Sequence, residues 1–456
     1  MKIVLLSGGS GKRLWPMSND ARSKQFLRVL NGSDGTPLSM LQRVWQQLRG
    51  VDLLQHAFVC ASKAQAESIH SQVGLVPVIE EPERRDTFAA ISLSCVYLSD
   101  IAGCSDDEVM VVAPVDHYVD NEYFQHIAGL EDVLLDSGAE LALLGVKPTE
   151  PSSKFGYISV EPQESTAAPW LQVRSFVEKP EEPAAKRLIA AGALWNCGVF
   201  CFRIGWLKQV LLSKGISPAY TSIQSTFANF PKRSFDYEVV EHAQSVVVVP
   251  YAGRWKDLGT WSSLTEEMNT PFVGLGESVN CSNTHIINEL GIPLIGMGLR
   301  DLVVVSSPDG ILVADKGESA QLKNVLKHYH GRPMFEERLW GYYRVLDFQE
   351  LEDGTEVLTK LIELHPGHNL SYQRHKWRSE VWTFIEGEGE VAIDHRIVPV
   401  SPGDVLRVYA EQWHAIRADT RLRFVEVQRG SELVEEDIAR KYATWEEIQR
   451  HCGVQV

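Results

Sequence analysis

A glycine-rich stretch near the start of the chain carries residue types suited to binding phosphate. The run Gly8-Gly9-Ser10-Gly11 is followed directly by Lys12 and Arg13. Closely spaced glycines let backbone N–H groups approach phosphate oxygens, and a guanidinium group can bind two such oxygens at once. The stretch is not a P-loop, because Leu6 stands where that motif has its first glycine, and it lacks the third glycine of a dinucleotide fingerprint. We expect a phosphate-binding turn, with a purely structural turn as the alternative.

Imidazole and carboxylate side chains in the C-terminal third are spaced in a way that suits a divalent metal. Alternating strand positions point His375 and Glu380 inward in a small barrel, and His414 follows on a later strand-like segment. Such ligands, converging from separate strands, suit Zn²⁺ or another divalent metal, and Gln373 would complete the set. The alternative is a metal-free barrel whose polar side chains hydrogen bond to one another.

The elements that must hold these residues change in kind along the chain. Helical patterns at 39–48, 88–100 and 183–191 separate many of the apolar runs in the first part. Those apolar runs predict buried strands at 2–7, 57–61, 109–113, 141–146, 199–202 and 246–249. Strands that alternate with helices predict an α/β domain with a mixed, largely parallel sheet.

The predicted domains are three. The α/β domain spans 1–268, and a small β-rich connector with short strands and little helix spans 269–331. From 332 to 456, short strand patterns follow one another at turn-punctuated spacing, which predicts a C-terminal β-barrel or sandwich.

Composition and charge exclude several classes of protein. The chain has 456 residues, 44% of them hydrophobic and 23% charged, which is ordinary globular usage. Its net charge of −16 gives no broad basic field for nucleic acid or anionic membranes, and we expect neither as a partner. Seven scattered cysteines without a Cys-x-x-Cys pair indicate reduced thiols. With no signal-peptide core and no run of eighteen apolar residues, we expect a soluble cytoplasmic protein.

The opening motif resembles that of a known enzyme family. Residues 8–16, Gly-Gly-Ser-Gly-Lys-Arg-Leu-Trp-Pro, and residues 23–27, Ser-Lys-Gln-Phe-Leu, closely resemble the sugar-1-phosphate nucleotidyltransferases, specifically the mannose-1-phosphate guanylyltransferases. The resemblance implies a Rossmann-like nucleotidyltransferase domain. Six further motifs follow in the family's order: Arg84-Arg85-Asp86-Thr87, Pro114-Val115-Asp116-His117, Phe155-Gly156-Tyr157, Phe176-Val177-Glu178-Lys179-Pro180, Trp195-Asn196-Cys197-Gly198 and Trp255-Lys256-Asp257-Leu258-Gly259-Thr260-Trp261.

The resemblance also implies roles for individual residues. Arg13 and Lys24 would act on the triphosphate, and Asp116 and Asp257 would hold Mg²⁺; these four are the expected catalytic residues. Nucleotide contacts would come from Ser7, Gly8, Gly9, Gly11, Arg85, Asp86 and Thr87. The sugar phosphate would be bound by Gly156, Tyr157, Glu178, Lys179 and Asn196.

Three positions depart from the family's pattern. The family has Pro where this chain has Ser23, Asn where it has Asp86 and Ser where it has Val115. Asp86 lies in an expected nucleotide contact, so another base or another sugar-1-phosphate stays open as an alternative.

The C-terminal domain resembles a cupin. Gly367-x5-Gln373-x-His375-x4-Glu380-x6-Gly387 matches the first cupin motif, with Gln in place of its first histidine, and Gly403-x10-His414 resembles the second. Residues 373–382 are also similar to the isomerase domain of bifunctional mannose-6-phosphate isomerase–guanylyltransferases, and Arg378 matches that domain's functional arginine. Other positions of the isomerase pattern are replaced, by Lys376, Trp377, Val381, Tyr409 and Glu411. With the histidines as ligands, no base is evident, so isomerase activity stays open.

Together these observations predict an enzyme that makes GDP-mannose from GTP and mannose-1-phosphate. The substrate's own phosphate oxygen would attack the α-phosphate of GTP in line, so no general base is required. One alternative is a nucleotidyltransferase for another sugar or base with a non-catalytic cupin. A second is a non-catalytic sugar-phosphate-binding protein. The sequence leaves a homodimer open.

Overall fold

The structure of the chain is a computed structural model. It describes residues 1–9, 12–19, 22–32, 35–162, 168–329, 331–434 and 437–454. Unit 1 comprises Met1–Leu14, Ser23–Pro271 and Asp315–Lys323. Unit 2 comprises Trp15–Arg22, Phe272–Ala314 and Asn324–Val456. Unit 1 continues to residue 271, three residues beyond the end predicted for the α/β domain. The connector and the β-barrel, predicted as separate domains, fall mainly in unit 2.

Unit 1 is built on a mixed sheet. Nine of its described strands form this sheet in the order β5-β4-β1-β6-β11-β8-β12-β10-β9. The strands of unit 1 are β1 (Lys2–Leu6), β2 (Leu30–Asn31), β3 (Pro37–Leu38), β4 (Ala57–Ser62), β5 (Val78–Glu81), β6 (Val109–Pro114), β7 (His117–Val119), β8 (Leu141–Val146), β9 (Tyr157–Val160), β10 (Leu171–Val177), β11 (Leu194–Arg203), β12 (Val246–Tyr251) and β13 (Trp255–Asp257).

The sheet is largely parallel, as the sequence predicts. Strands β4 and β6 pair in parallel with β1, β5 with β4, and β12 with β8. Strand β11 runs antiparallel to β6, β8 and β9, and β10 runs antiparallel to β9 and β12. Two strands therefore oppose the direction of the other seven. The predicted strands at 57–61, 109–113 and 141–146 correspond to β4, β6 and β8.

Helices cover both faces of the sheet. Successive residues of β1 point to opposite faces, so Ile3 and Leu5 join one core and Val4 joins the other. Side chains from α1, α2, α4, α5 and α6 contribute to the first core, and those from α3, α7, α8 and α9 to the second. The helices are α1 (Met40–Arg49), α2 (Lys63–Val73), α3 (Asp86–Asp100), α4 (Asn121–Ala128), α5 (Leu130–Ser137), α6 (Glu182–Ala190), α7 (Ile204–Ser213), α8 (Tyr220–Thr226), α9 (Phe235–Glu238) and α10 (Trp261–Thr265).

Five of the short connector strands in unit 2 pair in parallel. Its strands are β14 (Phe272–Gly274), β15 (Gly276–Val279), β16 (His285–Asn288), β17 (Leu294–Met297), β18 (Leu302–Ser307) and β19 (Gly310–Asp315). Strand β16 pairs in parallel with β14 and β18, and β15 pairs in parallel with β17. The sequence predicts the strands but not their parallel stacking, because each strand is too short to show which neighbour it pairs with.

Two six-stranded sheets form the C-terminal part of unit 2. Their orders are β20-β21-β22-β29-β24-β27 and β30-β23-β28-β25-β26-β31. Both sheets contribute to one apolar core, as a barrel or sandwich requires. The strands are β20 (Phe335–Arg338), β21 (Gly341–Glu350), β22 (Glu356–Leu364), β23 (Tyr372–Arg374), β24 (Arg378–Glu386), β25 (Gly389–Ile393), β26 (Arg396–Val400), β27 (Val405–Val408), β28 (His414–Ala418), β29 (Leu422–Gly430), β30 (Ala439–Tyr442) and β31 (Gly453–Val454).

Few helices accompany this β-rich part of the chain. Helix α11 (Leu322–Val325) follows the connector strands, and α12 (Trp445–His451) lies near the end of the chain. In the described residues, no helix combines the length and the apolar character that crossing a membrane would require.

Candidate active site

The glycine turn after β1 is held by the segment that carries Lys24. The side-chain amide of Gln25 donates to the carbonyl of Ser7 at 2.6 Å. The hydroxyl of Ser23 donates to the carbonyl of Gly9 at 3.2 Å. Both donors are buried, so these bonds fix the turn next to Lys24.

Lys24 lies between two carboxylates from distant parts of the chain. Its Nζ is 2.7 Å from Asp116 Oδ2 and 3.6 Å from Asp257 Oδ1. Asp116 directly follows β6, and Asp257 ends β13. The antiparallel pairing of β7 with β13 places Asp257 opposite His117, the residue after Asp116. This pairing of two short strands therefore joins the two predicted magnesium ligands.

The charges in this cluster stabilise one another. Burial alone would raise the pKa of Asp116, but the Lys24 ammonium and His117 outweigh burial and lower that pKa to about 2. Burial alone would lower the pKa of Lys24, but the carboxylates of Asp116 and Asp257 raise it above its usual value. Lys24 and Asp116 are therefore both charged at neutral pH.

The two aspartates fit a magnesium ion. An ammonium held by two carboxylates shows that a compact cation is stabilised at this position. Mg²⁺ is typically bound by one or two carboxylates together with substrate phosphates, rather than by a full protein cage. Asp116 and Asp257 supply such a pair next to the glycine turn.

Gly259 lies close to the side chains of both Asp257 and Arg13. A Cβ atom at Gly259 would lie 2.8 Å from Asp257 Oδ2 and 3.4 Å from Arg13 Nη1. Arg13 and Asp257 also border a cavity of about 620 Å³. Its wall includes the aromatic side chains of Phe155, Trp195 and Trp255.

Another cavity, of about 550 Å³, contains most of the predicted nucleotide contacts. Gly8 and Gly9 border it from the glycine turn, and Asp116 borders it from the end of β6. Its other lining residues include Glu81, Arg85, Asp86, Thr87, Lys232 and Asp236. Ser7 is fully buried behind the turn, and Gly11 lies outside the described residues. Five of the predicted nucleotide contacts, Gly8, Gly9, Arg85, Asp86 and Thr87, thus share this cavity, the predicted nucleotide cavity.

The predicted motif at 84–87 forms the entry to helix α3. Arg85 pairs with Glu83 at 3.1 Å. Asp86 begins α3 with a φ of 67°, and its Oδ1 accepts the N–H of Thr87 at 2.7 Å. The hydroxyl of Thr87 accepts the N–H of Phe235 at 2.9 Å. These contacts tie the start of α3 to α9 and shape one wall of the nucleotide cavity.

Glu178 and Lys179 form a carboxylate–ammonium pair at the predicted sugar-phosphate site. Lys179 Nζ is 2.6 Å from Glu178 Oε1, and the lysine side chain is 49% exposed while the glutamate is buried. Burial alone would lower the pKa of Lys179, but its bond to Glu178 raises it. A Cβ atom at Gly156 would lie 2.5 Å from Glu178 Oε2. The pair thus offers an accessible cation beside a buried acceptor, with backbone close by.

Asn196 joins this group through an aspartate that sequence analysis missed. Its side-chain nitrogen donates to Asp236 Oδ1 at 2.6 Å. Burial, followed by the charge of Glu178, raises the pKa of Asp236 to about 7. A single aspartate in the four-residue helix α9 has no spacing that would mark it as functional. Asp236 connects the sugar-phosphate residues to the nucleotide cavity.

Tyr157 lies deeper than the sugar-phosphate prediction places it. The side chain is fully buried, and its hydroxyl is enclosed by the backbone of Ser152. The hydroxyl accepts the Ser152 N–H at 2.9 Å and donates to the Ser152 carbonyl at 3.1 Å. In this structure Tyr157 supports the loop before β9.

Unit 2 brings His375, Glu380 and His414 together. Their candidate ligand atoms all lie within 4.8 Å of one another. His375 Nε2 is 3.5 Å from Glu380 Oε1, and His414 Nε2 is 3.7 Å from Glu380 Oε2. All three side chains are buried. His375 lies between β23 and β24, so three separate segments supply the residues and the inward convergence expected from the sequence is present.

Backbone carbonyls orient both imidazoles. His375 Nδ1 contacts the Asp437 carbonyl at 2.5 Å, and His414 Nδ1 contacts the Gln412 carbonyl at 2.9 Å. A carbonyl can only accept, so each Nδ1 carries the proton and each Nε2 presents a lone pair. His414 Nε2 is buried without a hydrogen-bond partner. Two imidazole lone pairs and one carboxylate fit Zn²⁺ or a similar divalent ion.

Two other predicted residues border this trio. Gln373 lies opposite His414 in the pairing of β23 with β28. Arg378 Nε donates to Glu380 Oε1 at 3.0 Å, and its Nη2 is 3.2 Å from His375 Nε2. The guanidinium therefore contacts two of the three candidate ligands.

A buried carboxyl group that sequence analysis missed lies beside the trio. Trp382 Nε1 donates to both Glu380 Oε2 and Glu426 Oε1, at 3.1 and 3.2 Å. Gln428 donates to the other oxygen of Glu426 at 2.8 Å. Burial, followed by the charge of Glu380, raises the pKa of Glu426 to about 8. The one sequence pattern that could have placed Glu426 inside the barrel is the alternation of inward and outward positions along β29, in which residues 426 and 428 share the inward face.

Known proteins resemble the chain over nearly its whole length. An Escherichia coli protein named mannose-1-phosphate guanylyltransferase is 30% identical over 96% of this chain and 97% of its own length. The alginate biosynthesis protein AlgA of Pseudomonas aeruginosa is 29% identical over 96% of this chain and 95% of its own. A crystal structure named mannose-1-phosphate geranyltransferase, from Thermus thermophilus, has a TM-score of 0.60 and 26% identity, and it covers 72% of this chain and 98% of that one.

Two protein families account for the two parts of the chain. The family described as mannose-6-phosphate isomerase C-terminal matches residues 326–442, which confirms the predicted isomerase-like cupin. The family described as nucleotidyl transferase matches residues 2–271, more than half of the chain. The chain therefore belongs to the nucleotidyl transferase family and carries a C-terminal domain of the mannose-6-phosphate isomerase type.

Proposed function

We propose that unit 1 transfers GMP from GTP to mannose-1-phosphate and releases pyrophosphate. The observation that carries this proposal is the position of Lys24 between Asp116 and Asp257, beside the cavity that the glycine turn borders. Nucleotidyl transfer needs an aligned nucleophile and positive charge around an α-phosphate. The Lys24 ammonium supplies positive charge, and the two carboxylates can bind a metal cation that adds to it. The choice of GTP and mannose-1-phosphate follows the motif resemblance and the name of the Escherichia coli relative.

The chain's own residues act mainly by binding and orienting phosphates. Arg13 would bind two oxygens of the triphosphate, and Lys24 would act as a point charge on the α-phosphate. Asp116 and Asp257 would hold Mg²⁺, which supplies further positive charge against the phosphates when it is bound. A sugar phosphate is already ionised at neutral pH, so its oxygen attacks the α-phosphorus without a protein base.

The sugar phosphate would bind at the Glu178–Lys179 pair. The exposed Lys179 ammonium suits the phosphate group, and Glu178 and Asn196 suit the sugar hydroxyls. The close approach of Gly156 to Glu178 lets the sugar ring contact backbone there. In-line attack requires this site and the nucleotide cavity to present their phosphates to each other, and Asp236 contacts the first and borders the second.

Turnover with a matrix of substrates tests this proposal. Purified protein with Mg²⁺ would be given each of GTP, ATP, UTP, CTP and dTTP with mannose-1-phosphate or glucose-1-phosphate, and pyrophosphate and nucleotide sugar would be measured. We expect the fastest turnover with GTP and mannose-1-phosphate. Preference for another pair would overturn the proposed substrates but leave the proposed type of reaction in place. No turnover with any pair would support a non-catalytic binding protein.

A second activity is proposed for unit 2, the isomerisation of mannose-6-phosphate with a divalent metal. The supporting observation is the buried His375–Glu380–His414 trio with both Nε2 atoms facing the carboxylate. Isomerisation needs a metal to polarise a carbonyl oxygen and a group that moves a proton between adjacent carbons. Glu426, a buried carboxyl group that shares the Trp382 indole N–H with Glu380, is the candidate for the group that moves this proton.

Conversion of mannose-6-phosphate to fructose-6-phosphate tests this second activity. The assay would use metal-free protein to which Zn²⁺, Co²⁺ or Mn²⁺ is added. It would compare His414→Gln with His368→Gln, which changes a histidine outside the trio whose Nδ1 contacts the local Pro366 carbonyl. We expect metal-dependent conversion that His414→Gln abolishes and His368→Gln leaves intact. Absence of conversion with every metal would leave the cupin as a non-catalytic domain.

The cellular setting follows from the substrates. We propose that the reaction takes place in the cytoplasm and supplies GDP-mannose for polysaccharide synthesis, consistent with the name of the AlgA relative. A homodimer is part of the proposal, and light scattering of the purified protein would test it.

A further inference from the structure

Arg13 and Lys24, the two cations of the proposed reaction, are joined by a short segment that belongs to unit 2. This linking segment, Trp15–Arg22, is grouped with the connector strands, whereas Arg13 and Lys24 belong to unit 1. The proposed reaction gives the linking segment no role. Contacts that fix its two ends also fix the backbone that leads to each of the two cations.

The connector strands present one edge to the linking segment. Strands β16 and β18 pair in parallel with Asn288 opposite Ser306, so the residues that follow these positions lie at the same edge. Glu289 follows β16, Ser307 ends β18, and Asp309 precedes β19. This edge therefore supplies two carboxylates and one hydroxyl group that have no role in the proposed reactions.

Glu289 binds the end of the linking segment that leads to Lys24. Its two oxygens accept from the two terminal nitrogens of the Arg22 guanidinium, at 2.9 Å each. The Arg22 and Glu289 side chains are only 15% and 25% exposed, and Arg22 Cζ lies 5.1 Å from the centre of the Phe335 ring. Bidentate pairs fix orientation as well as distance. A single residue separates Arg22 from Lys24, so this pair restricts the position of the Lys24 backbone.

The same edge binds the linking segment at two further points. Near its beginning, the hydroxyl of Ser307 donates to the Pro16 carbonyl at 2.8 Å. In its middle, the side-chain nitrogen of Asn19 donates to Asp309 Oδ2 at 2.7 Å. The linking segment is thus bound near both ends, and the pair of Arg22 with Glu289 is its charged contact next to Lys24.

We propose that Glu289 is a positioning residue for nucleotidyl transfer, and that its ion pair with Arg22 places Lys24 against the triphosphate. This inference rests on the proposed function of unit 1 and adds to it a residue of the connector. Glu289 acts through Arg22 and touches no substrate. Phosphoryl chemistry is sensitive to such placement, since a displacement of about 1 Å among reacting groups can cost about 100-fold in rate.

The test compares Glu289→Gln with the matched control Glu277→Gln, which changes an exposed glutamate on β15 of the same connector. With GTP and mannose-1-phosphate, Glu289→Gln should lower kcat at least about 10-fold and raise KM for GTP about 10-fold, because Lys24 is displaced from the phosphates. KM for mannose-1-phosphate should change less than about twofold, since Glu178 and Lys179 lie on other elements. Glu277→Gln should match the unaltered protein.

A double-mutant cycle shows whether Glu289 acts through its partner. Arg22→Gln should give the same losses as Glu289→Gln, and the double variant should lose no more than either single variant, because all three lack the same pair. Additive losses would show that Glu289 acts by another route and would overturn the inference.

The two KM values separate positioning from a merely structural role. A structural role lowers the fraction of active protein, which lowers kcat and leaves both KM values unchanged. That result, or unchanged kinetics in Glu289→Gln, would overturn the inference and leave the proposed reaction in place. If the unaltered protein turns over no nucleotide, the proposed reaction fails and this inference fails with it. Should circular dichroism show Glu289→Gln unfolded, Glu289→Asp decides by the same KM values, because it keeps the charge but withdraws it from Arg22.

Discussion

Asp257 lies directly opposite His117 in an antiparallel pair of three-residue strands, and this register brings Asp257 to within reach of the ammonium group that Asp116 holds. The two aspartates come from the ends of separate segments of unit 1. Their side chains converge because the register of β7 and β13 places Asp257 beside the residue that follows Asp116. The cluster of Lys24 with two carboxylates is therefore a product of tertiary pairing, and its chemistry depends on that pairing.

Asp257→Asn should abolish most of the nucleotidyl transfer. The amide removes a negative charge that both Lys24 and a bound Mg²⁺ would need, and losses of about 100- to 1,000-fold in kcat are typical when one electrostatic group of an active site is removed. Pyrophosphate release measures this, with Asp136→Asn, an exposed aspartate on α5, as the control. Full activity in Asp257→Asn would exclude a metal-binding role for this residue.

Gly259→Ala should impair the same reaction through geometry alone. The added Cβ would lie 2.8 Å from Asp257 Oδ2, closer than real Cβ contacts allow, so the carboxylate or the chain must shift. A displacement on this scale at the reacting centre can cost about 100-fold in rate. Gly129→Ala is the matched control, because its Cβ would meet only ordinary contacts at 3.7 Å. Equal kinetics for both variants would show that Asp257 tolerates displacement.

Gly156→Ala should weaken the binding of the sugar phosphate without weakening the binding of the nucleotide. Its Cβ would lie 2.5 Å from Glu178 Oε2 and would push the carboxylate away from Lys179. We expect KM for mannose-1-phosphate to rise about 10-fold, since one hydrogen bond to a charged group is worth about that much. KM for GTP should change less than twofold. A rise in the KM of both substrates would show that the two sites share this glycine.

Much of the fold, but only part of the site, follows from local sequence. The strands and helices of unit 1 are marked by apolar periodicity, because a strand buried on both faces must be continuously apolar. The turn at Gly8 and Gly9 was likewise predictable, since glycines concentrated after a first strand have a local signature. The positions of Asp236 and Glu426 beside the candidate sites were not predictable, because distant segments bring their neighbours to them only in the folded chain. The prediction of Asp257 as a magnesium ligand came from the motif resemblance, and its spacing alone could not have made it.

Asp236→Asn should stabilise the protein more at alkaline than at acidic pH. Burial and the charge of Glu178 raise the folded-state pKa of Asp236 to about 7, above its value in the unfolded chain. The unfolded carboxyl group therefore ionises first, and stability falls as the pH rises from about 4 towards 7. Asparagine cannot ionise and keeps an oxygen to accept the Asn196 hydrogen bond. Urea unfolding at pH 5 and pH 8 should show a stabilisation about 1–2 kcal/mol larger at pH 8. A constant difference between the two pH values would show that Asp236 does not titrate in this range.

His414→Gln should remove metal binding from unit 2. His414 Nε2 is buried and unpartnered, and its Nδ1 is held by the Gln412 carbonyl, so the ring is oriented for a metal in advance. A glutamine at this position replaces the imidazole donor with a weaker and more mobile one. Protein dialysed against Zn²⁺ should retain about one ion in the unaltered form, and its melting temperature should fall on chelation, because a ligand bound only by the folded state stabilises it. In His414→Gln both the ion and the chelator effect should disappear, while His368→Gln keeps both. Equal zinc content in the two variants would place the ion elsewhere and would leave His375, Glu380 and His414 as a hydrogen-bonded cluster.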